Sequence, residues 1–498
     1  MTATPQNPAS VIIGADIRSR EDIVHVGAKL ATALRESGVG PGDVVALLLR
    51  NDFALFETHL ALRRLDAYGV PINWHWHAQE IGYVLRDCAP KLFIGHRDLL
   101  ELVRGQIPHG MKVVSVGGGD GWIDYEVWVA AAAAYGGMGN GLGSSMIYTS
   151  GTTGRPKAVQ RLPASAAESA QRAAVLALIH DAKPGNVALV TGPLYHLFSQ
   201  AIAMATFAAQ GSVVVMEKFD PEETLALIEK HRVTHSALVP TLFTRLLRLP
   251  ETIRRKYDLS SLRHVVHSGA PCPPEVKRAM LEWWGPVFHE TYGSTETGVV
   301  TKISSEEWLA HPGSVGKPVL SGEVRILDDA KHWAGPDVIG DVYLAMHGTP
   351  DFTFHGDPEK RKAVAHEGFI TCGDIGWLDK AGYLYLCDRR VDMVLSGGVS
   401  IYPAEIEAAL AAHPDIEDSA VFGVPDPEFG ESVVAYVQAS PAAGLTSEAV
   451  RAHVRGRLAG YKVPKHVVIA PKLPREDTGK IKKRNLKAEF LERAMAHG

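Results

Sequence analysis

The residues best suited to chemistry form one short polar segment, YTSGTTGRPKAV, at positions 148–159. Gly151 and Gly154 allow backbone N–H groups to approach a ligand closely, and Lys157 supplies a point charge. Four hydroxyl groups add donors: those of Thr149, Ser150, Thr152 and Thr153. The segment predicts a loop that binds a polyphosphate, with a polar surface turn as the alternative. It is not a Walker loop, because G-x-x-x-x-G-K-[ST] is absent.

A second glycine-rich segment, HETYGSTETG, occupies positions 289–298. Its Glu296 offers a carboxylate, the type of ligand that Mg²⁺ prefers. A turn with an exposed glutamate is the alternative. Just upstream, HSGAPCPP at 267–274 predicts a loop that follows a strand.

Three later segments carry further charged residues. TCGDIGWLDKAGYLYLCDRR contains Asp374 and Arg389, SGGVSIYPAEIEAAL begins at Ser396, and PREDTGKIKKRNL places Lys480 after a Thr-Gly pair. Taken singly, Asp374 or Arg389 is explained by a solvated turn, and the lysines around Lys480 by a solvated face.

Taken together and in this order, the segments resemble the motifs of the adenylate-forming superfamily, which includes acyl-CoA synthetases, firefly luciferase and peptide-synthetase adenylation domains. The resemblance covers essentially the whole chain, with motifs from residue 148 to residue 480. It implies an ATP site at which a carboxylic acid becomes an acyl-adenylate.

The resemblance assigns a nucleotide-binding role to several residues. Tyr292 would stack on adenine, Thr295 would bond the α-phosphate, and Glu296 would hold Mg²⁺. The backbone of three residues would cover the other face of adenine: Ser268, Gly269 and Ala270. The ribose hydroxyls would be bound by Asp374 and Arg389.

The resemblance also implies two half-reactions carried out by a mobile C-terminal domain. Lys480 would be the catalytic lysine of adenylation, and Gly397 and Gly398 would line the tunnel for the pantetheine arm of coenzyme A. We hypothesise that the domain rotates between the two steps, because both elements lie in one small domain and are needed at different times.

The acid itself is expected next to PLYHLFSQ, residues 193–200. In the family this segment gates the carboxylate end, so His196 is the candidate, although a histidine that caps the following helix is the alternative. The expected walls are Leu197, Phe198, Thr241, Leu242, Ala270 and Gly293. No lysine or arginine occurs in these wall segments, which suits an acid with an uncharged hydrophobic body. An aliphatic chain, an aryl ring and an alicyclic system all remain open.

The function expected from the resemblance is an ATP-dependent carboxylic acid–CoA ligase that uses Mg²⁺ and forms AMP and pyrophosphate. The alternative is an acyl-AMP ligase that loads a carrier-protein thiol. A luciferase-type oxygenase and a non-catalytic nucleotide-binding regulator are less favoured, since Glu296 and Lys480 are both present. The sequence departs from the family at Val391, where a hinge residue is usually acidic or lysine, and at Ser400, where Asn is commoner.

Bulk properties agree with an enzyme of at least two domains. The chain has 498 residues, 46% of them hydrophobic and 21% charged, and its net charge of −5 gives no overall attraction to nucleic acid. The 4 cysteines are widely spaced, which favours neither a zinc site nor a disulfide framework. We expect a cytoplasmic protein without a membrane span, and a monomer and a homodimer both remain open.

The elements that must position these segments follow an α/β pattern. A helix is predicted over 22–37 and a buried strand over 44–49, and the same alternation recurs up to the strand over 264–267. We therefore expect layered α/β sheets over 1–388, with a small β-barrel-like sub-domain at about 315–388. A hinge is expected over 389–393, followed by a small mobile α+β domain over 394–498.

Overall fold

The computed structural model describes residues 9–139, 145–149, 157–397, 399–440, 444–476 and 481–497. The first part of the chain forms a parallel five-stranded sheet, in the order β4-β3-β5-β6-β7, covered by helices. The elements in this part of the chain, of which β1 and β2 belong to the second sheet described below, are β1 Ser10–Ile13, β2 Asp16–Ser19, α1 Arg20–Glu36, β3 Val44–Leu48, α2 Phe53–Arg64, β4 Tyr68–Pro71, α3 Ala78–Cys88, β5 Leu92–His96, α4 Arg97–Val103, β6 Lys112–Val116, β7 Ile123–Asp124 and α5 Tyr125–Ala131.

The middle of the chain builds a second parallel sheet from β11, β10, β12, β13 and β14 in that order, and β1 pairs with β11. Its strands read as continuous apolar runs because helices cover both faces. The elements are β8 Ile147–Thr149, β9 Lys157–Arg161, α6 Ala166–His180, β10 Val187–Val190, α7 Leu197–Ala208, β11 Ser212–Val215, α8 Pro221–His231, β12 His235–Leu238, α9 Pro240–Leu247, α10 Glu251–Arg254, β13 His264–His267, α11 Pro274–Trp284 and β14 Phe288–Ser294.

The region predicted as a small barrel is antiparallel and extends this sheet through β15 and β16 to β22, β21, β18 and β17. A separate three-stranded sheet, β19-β9-β8, carries the strands on either side of the predicted phosphate loop. The elements are β15 Gly298–Ser304, α12 Ser305–Ala310, β16 Ser314–Pro318, β17 Gly322–Leu327, β18 Gly340–Met346, β19 Phe352–Phe354, α13 Pro358–Ala363, β20 Ala365–His366, β21 Phe369–Leu378 and β22 Leu384–Arg389.

After β22 the chain enters a small α+β domain with its own sheet and its own apolar core. The elements are β23 Val394–Ser396, β24 Val399–Ile401, α14 Pro403–Ala411, β25 Ile416–Asp426, β26 Gly430–Ala439, α15 Ser447–Arg455, β27 His466–Ala470 and α16 Lys483–His497. The expected fold class, layered α/β sheets followed by a small α+β domain, is confirmed.

Local chemistry explains where the elements begin. The first helix starts at Arg20, before the predicted position, because the side chain of Ser19 accepts a hydrogen bond from the backbone N–H of Asp22 and caps the helix. The strand over 264–267 has the predicted bounds, and all four of its residues are buried.

Within the ranges given above, no helix is both long and apolar enough to cross a membrane.

Candidate active site

A cleft of about 3360 Å³ separates the larger N-terminal part of the molecule from the small C-terminal domain. The N-terminal part lines it with residues at the carboxyl ends of β12, β13 and β14, where parallel α/β sheets commonly bind ligands. The C-terminal domain lines it with residues of α14 and with residues on both sides of 477–480. Most of the predicted site residues that the structure describes lie along this cleft.

Three residues predicted to bind nucleotide meet at one point of the cleft. Tyr292 donates its phenolic hydrogen to Oδ2 of Asp374 over 2.6 Å, and Arg389 donates from Nε to Oδ1 over 3.3 Å. Asp374 and Arg389 are direct partners in the ladder between β21 and β22, which explains their separation of 15 residues. Burial, and then the charge of Asp374, raises the pKa of Tyr292 well above its usual value, so the tyrosine stays a hydrogen-bond donor.

The predicted phosphate and metal residues lie on a tight turn between β14 and β15. Ser294 Oγ accepts hydrogen bonds from the backbone N–H groups of Glu296 and Thr297, each at 3.1 Å. A Cβ atom at Gly293 would lie 1.9 Å from the carbonyl oxygen of Gly298, so the turn closes only with glycine there. Thr295 and Glu296 line the cleft from this fixed turn.

Arg161 lies in none of the predicted motifs. It belongs to β9, the strand that follows the predicted phosphate loop, and its hydrogen bonds connect that strand to this turn. Its Nη2 donates to the carbonyl oxygen of Thr295 over 2.8 Å, and its Nη1 to that of Pro350 over 3.2 Å. Burial, reinforced by the charge of Arg172, lowers the pKa of Arg161 to about 10, which leaves it protonated at neutral pH. Arg161 is the last residue of β9, whose sequence KAVQR gives no local signal of this contact.

Much of the predicted phosphate loop lies outside the described residues. This applies to Ser150, Gly151, Thr152, Thr153 and Gly154, and to the side chain of Thr149. Lys157, at the start of β9, forms an ion pair with Asp357, and this contact lowers the pKa of the Asp357 carboxyl. Lys360, one turn further along α13, lines the cleft. Burial and then the charge of Lys157 lower the pKa of Lys360, and the charge of Glu296 acts in the opposite direction. Lysines therefore gather beside the turn that carries Glu296.

The loop predicted to cover adenine follows β13 and lines the cleft with Ser268, Gly269 and Ala270. Ser268 Oγ donates to the carbonyl oxygen of Thr291 over 2.7 Å, and Gly269 has a φ of +87°, which favours glycine. Behind the loop, Lys277 and Glu290 form a buried ion pair at 2.6 Å. This pair was missed, because a charge on an amphipathic helix is normally assigned to the surface.

The predicted acid walls also belong to the cleft. They are His196, Leu197, Phe198, Thr241, Leu242, Ala270 and Gly293. His196 occupies the N-cap position of α7, yet its side chain makes no capping hydrogen bond. Its ring centroid lies 4.2 Å from that of Tyr195. The alternative of a purely capping histidine therefore does not hold.

The residues predicted to act from the C-terminal domain are only partly described. Lys480 and Gly398 lie outside the described residues, but Glu476 and Ile481, on either side of 477–480, line the cleft. Gly397 is in a hairpin turn with a φ of +57° and donates its N–H to the carbonyl of Phe429, away from the cleft lining. The domain thus turns Glu476 and Ile481, rather than Gly397, toward the cleft.

Asp388 connects the two parts of the molecule. It lies in β22, and its Oδ2 accepts a hydrogen bond of 2.8 Å from the backbone N–H of Ala404 in the first turn of α14. Burial raises the pKa of the Asp388 carboxyl. The contact fixes the first helix of the C-terminal domain to the last strand of the N-terminal part.

The chain is similar to proteins with known functions along almost its whole length. It matches the family described as AMP-binding enzyme over residues 27–349 and the AMP-binding enzyme C-terminal domain over residues 405–480. It is 31% identical over 487 residues to a 2-succinylbenzoate–CoA ligase of Geobacillus kaustophilus, covering 97% of this chain and 95% of the relative. It is 32% identical over 469 residues to a feruloyl-CoA synthase of Amycolatopsis, covering 93% and 92%.

A solved structure shows the same similarity. ATP-bound MatB from Rhodopseudomonas palustris superposes with a TM-score of 0.85 at 28% sequence identity, covering 98% of this chain and 97% of that one.

Proposed function

This chain belongs to the AMP-binding enzyme family of AMP-forming acid–CoA ligases, and from this premise we propose that it joins a carboxylic acid with a hydrophobic body to coenzyme A. The acid would be aliphatic, aryl or alicyclic. The observation that carries the proposal is that Tyr292 and Arg389 both donate hydrogen bonds to Asp374 in one cleft. Tyr292 and Asp374 are 82 residues apart in sequence. They offer an aromatic face and a charged pair to one nucleoside.

In the first half-reaction a carboxylate oxygen of the acid attacks the α-phosphorus of ATP. The bond from this phosphorus to the β-phosphate oxygen breaks, and pyrophosphate leaves. Acid and triphosphate are both anions, so cations must offset their repulsion. We assign this role to Lys157, Lys480 and the 150–156 loop, and the α-phosphate contact to Thr295. A preorganised donor of this kind typically contributes about a hundredfold to a thousandfold in rate.

The donor set also fits Mg²⁺. Glu296 offers a carboxylate on the turn that lines the cleft, and a carboxylate is the type of ligand that Mg²⁺ prefers. Glu296 is the residue that would hold it. When bound, Mg²⁺ would neutralise phosphate charge during adenylation.

In the second half-reaction the thiol sulfur of coenzyme A attacks the acyl carbon, the thiol proton is lost and AMP leaves. His196 would contact the carboxylate end of the acid, and Gly397 and Gly398 would line the approach of the pantetheine arm. We place the hinge at residues 389–393, between the N-terminal domain 1–388 and the C-terminal domain 394–498. Because ATP and coenzyme A are intracellular metabolites, we propose a cytoplasmic location.

Product analysis tests this function. Purified protein, Mg-ATP and a panel of carboxylic acids should release pyrophosphate, and AMP should follow only when a thiol acceptor is added. Coenzyme A and a carrier protein with a phosphopantetheine arm are supplied separately, because the carrier-protein ligase is the alternative. Formation of ADP would overturn the proposal.

A Lys480→Ala variant separates the two steps. It should lose adenylation, yet still convert supplied acyl-AMP and coenzyme A to the thioester. Equal loss of both steps would contradict the assignment of Lys480 to adenylation alone. The same preparation of unaltered protein serves as the control.

A further inference from the structure

Lys483, the first residue of α16, is one of the lysines that the sequence explains as part of a solvated face. The structure contradicts that explanation for Lys483, because only 15% of its side chain is exposed. Its Nζ lies 2.8 Å from Oε1 of Glu407 in α14. A buried ammonium group is costly unless it is paired, so the ion pair gives Lys483 a defined position in the C-terminal domain.

Glu407 is itself held by the core of that domain. Its Oε1 also accepts a hydrogen bond of 2.7 Å from the backbone N–H of Val421 in β25. Burial raises the pKa of the Glu407 carboxyl, and the charge of Lys483 acts in the opposite direction. The ion pair therefore fixes the start of α16 against α14 and β25.

The chain just before α16 is held at two points. Arg475 and Ile481 form an isolated antiparallel bridge, and Arg475 donates to both carboxylate oxygens of Asp418 in β25, over 2.5 and 2.6 Å. Lys480 lies outside the described residues, but it directly precedes Ile481 and is three residues before Lys483. Because adjacent Cα atoms are about 3.8 Å apart, whatever fixes Ile481 and Lys483 also limits where Lys480 can lie.

Lys483 also connects the C-terminal domain to the N-terminal part of the molecule. Burial alone would lower its pKa, but the charge of Glu407, followed by those of Asp388 and Asp392, outweighs burial and raises the pKa. The ammonium group therefore stays protonated. Asp388 lies in β22 of the N-terminal part, and it accepts a hydrogen bond from the backbone N–H of Ala404 in α14. One carboxylate thus attracts both the first turn of α14 and the first residue of α16.

The neighbouring lysines have different partners. Nζ of Lys482 lies 3.2 Å from a carboxylate oxygen of Glu476, and that of Lys487 lies 3.8 Å from one of Glu431. Both side chains are more exposed than that of Lys483. The charge of Lys483 also lowers the pKa of Asp388, against the stronger effect of burial, which raises it. Lys483 is therefore the lysine of this group to test for a role at the domain boundary.

We propose that Lys483 is a positioning residue for adenylation: its ion pair with Glu407 and its attraction to Asp388 hold the start of α16 beside the cleft. This inference rests on the proposed function, in which Lys480 acts in adenylation alone. The thiol step is assigned to the face of the domain that carries Gly397. That step should therefore depend much less on Lys483.

The test measures the two half-reactions separately. Pyrophosphate release gives the rate of adenylation, and conversion of supplied acyl-AMP and coenzyme A gives the rate of thioester formation. In Lys483→Met, adenylation should slow by roughly ten- to a hundredfold relative to thioester formation, because a reacting group loses its position. KM for ATP should change less than about threefold, since Lys483 does not contact the nucleotide residues. Lys483→Arg restores the charge with a different shape and should recover part of the rate.

Asp388→Asn keeps the experiment decisive if Lys483→Met does not fold. The amide oxygen of the new side chain can still accept the hydrogen bond from Ala404, but the charge that attracts Lys483 is lost. Adenylation should slow by about threefold relative to thioester formation. Combined with Lys483→Met, Asp388→Asn should cause no further slowing, because the same attraction is already absent.

Lys465→Met is the matched control, because Lys465 belongs to the same domain and pairs with Asp426 at 2.7 Å outside the cleft lining. It should leave the ratio of the two rates unchanged. An unchanged ratio in Lys483→Met and in Asp388→Asn, or equal slowing of both steps, overturns the positioning role while the ligase function stands. If the unaltered protein releases no pyrophosphate with any acid, the proposed function itself fails.

Discussion

Tyr292 and Asp374 share a 2.6 Å hydrogen bond between the last parallel strand, β14, and the antiparallel strand β21. The same carboxylate also accepts from Arg389, so its two oxygens are held by two donors on different strands. A carboxylate held in this way is fixed before a ribose arrives, which lowers the entropy lost on binding. The bond therefore connects the aromatic residue expected against adenine with the pair expected on ribose.

Replacing Tyr292 with Phe tests this connection. The variant keeps the ring and the donor Arg389 but removes the phenolic donor to Asp374. We therefore expect KM for ATP to rise about tenfold, the usual effect of losing one hydrogen bond to a charged group. The kcat should change less than threefold. Steady-state pyrophosphate release at varied ATP measures both constants.

Tyr383→Phe is the matched control. Its hydroxyl lies 3.4 Å from Glu307, and Tyr383 does not line the cleft. An equal rise of KM in both variants, or a fall of kcat alone in Tyr292→Phe, would show that the hydroxyl does not order the ribose pair.

The pair Asp374 and Arg389 could be predicted from the sequence because its geometry is local. Both residues lie on one hairpin, and their separation in sequence places them opposite each other once β21 and β22 pair. The strand over 264–267 was predictable for a similar reason, since a continuous apolar run suits a strand covered on both faces.

Arg161 could not be predicted, because its role depends on a contact across 134 residues. Nothing in a local pattern shows that β9 lies beside the turn after β14. The buried Lys277–Glu290 pair was missed because helix periodicity assigns charged residues to the solvent side.

Arg161→Met should impair catalysis through the turn that carries Thr295. The backbone carbonyls of Thr295 and Pro350 lose this donor, so the hydrogen bond that connects the turn to β9 is lost. We expect kcat for a monocarboxylic acid to fall about ten- to a hundredfold with a smaller change in KM for ATP. Arg161→Lys should recover part of the rate, because it restores one charged donor.

Arg325→Met on β17 is the control for removing an arginine outside the cleft lining, where it bonds Glu323. Thermal unfolding of all three variants separates lost stability from lost positioning. If Lys and Met at position 161 are equally slow while both stay folded, a positioning role through the donated hydrogen bonds is wrong.

Asp388→Ala should alter the balance between the two half-reactions. The carboxylate accepts a hydrogen bond from the first turn of α14 in the domain arrangement of this structure, and we expect rotation of the C-terminal domain to break this bond. A lost helix cap costs about 1 kcal/mol, equivalent to roughly a fivefold shift of an equilibrium. Adenylation should slow by about this factor, and thioester formation from supplied acyl-AMP should not slow.

Asp220→Ala removes an ordinary helix cap, that of α8 in the N-terminal part, and serves as the control. It should lower stability by a similar amount and leave the ratio of the two half-reactions unchanged. Equal slowing of both steps in Asp388→Ala would mean that the contact only stabilises the fold.

Two buried histidines, His180 at the end of α6 and His264 at the start of β13, and the partly buried His289 of β14 make the stability of the protein depend on acid pH. Burial lowers the pKa of His180 and of His264 to about 3, and that of His289 to about 4. The other charged groups that act on these rings are Lys302, Asp181 and Lys277. An unfolded histidine has a pKa near 6.5, so between about pH 6.5 and pH 4 the unfolded chain binds more protons than the folded one.

The direction in which stability changes with pH follows from this difference in proton binding. The stabilisation from the neutral rings is complete above pH 6.5 and is lost as the pH falls toward the folded pKa values. For His180 alone the loss between pH 7.5 and pH 5 is about 2 kcal/mol.

In His180→Phe the free energy of unfolding, measured with denaturant at both pH values, should fall by about 2 kcal/mol less than in the unaltered protein. His109→Phe, which removes the ring of an exposed histidine, is the control. An unchanged pH dependence in His180→Phe would mean that the ring is protonated in the folded protein at pH 5, and the buried position would then have to supply a hydrogen-bond acceptor for its second N–H.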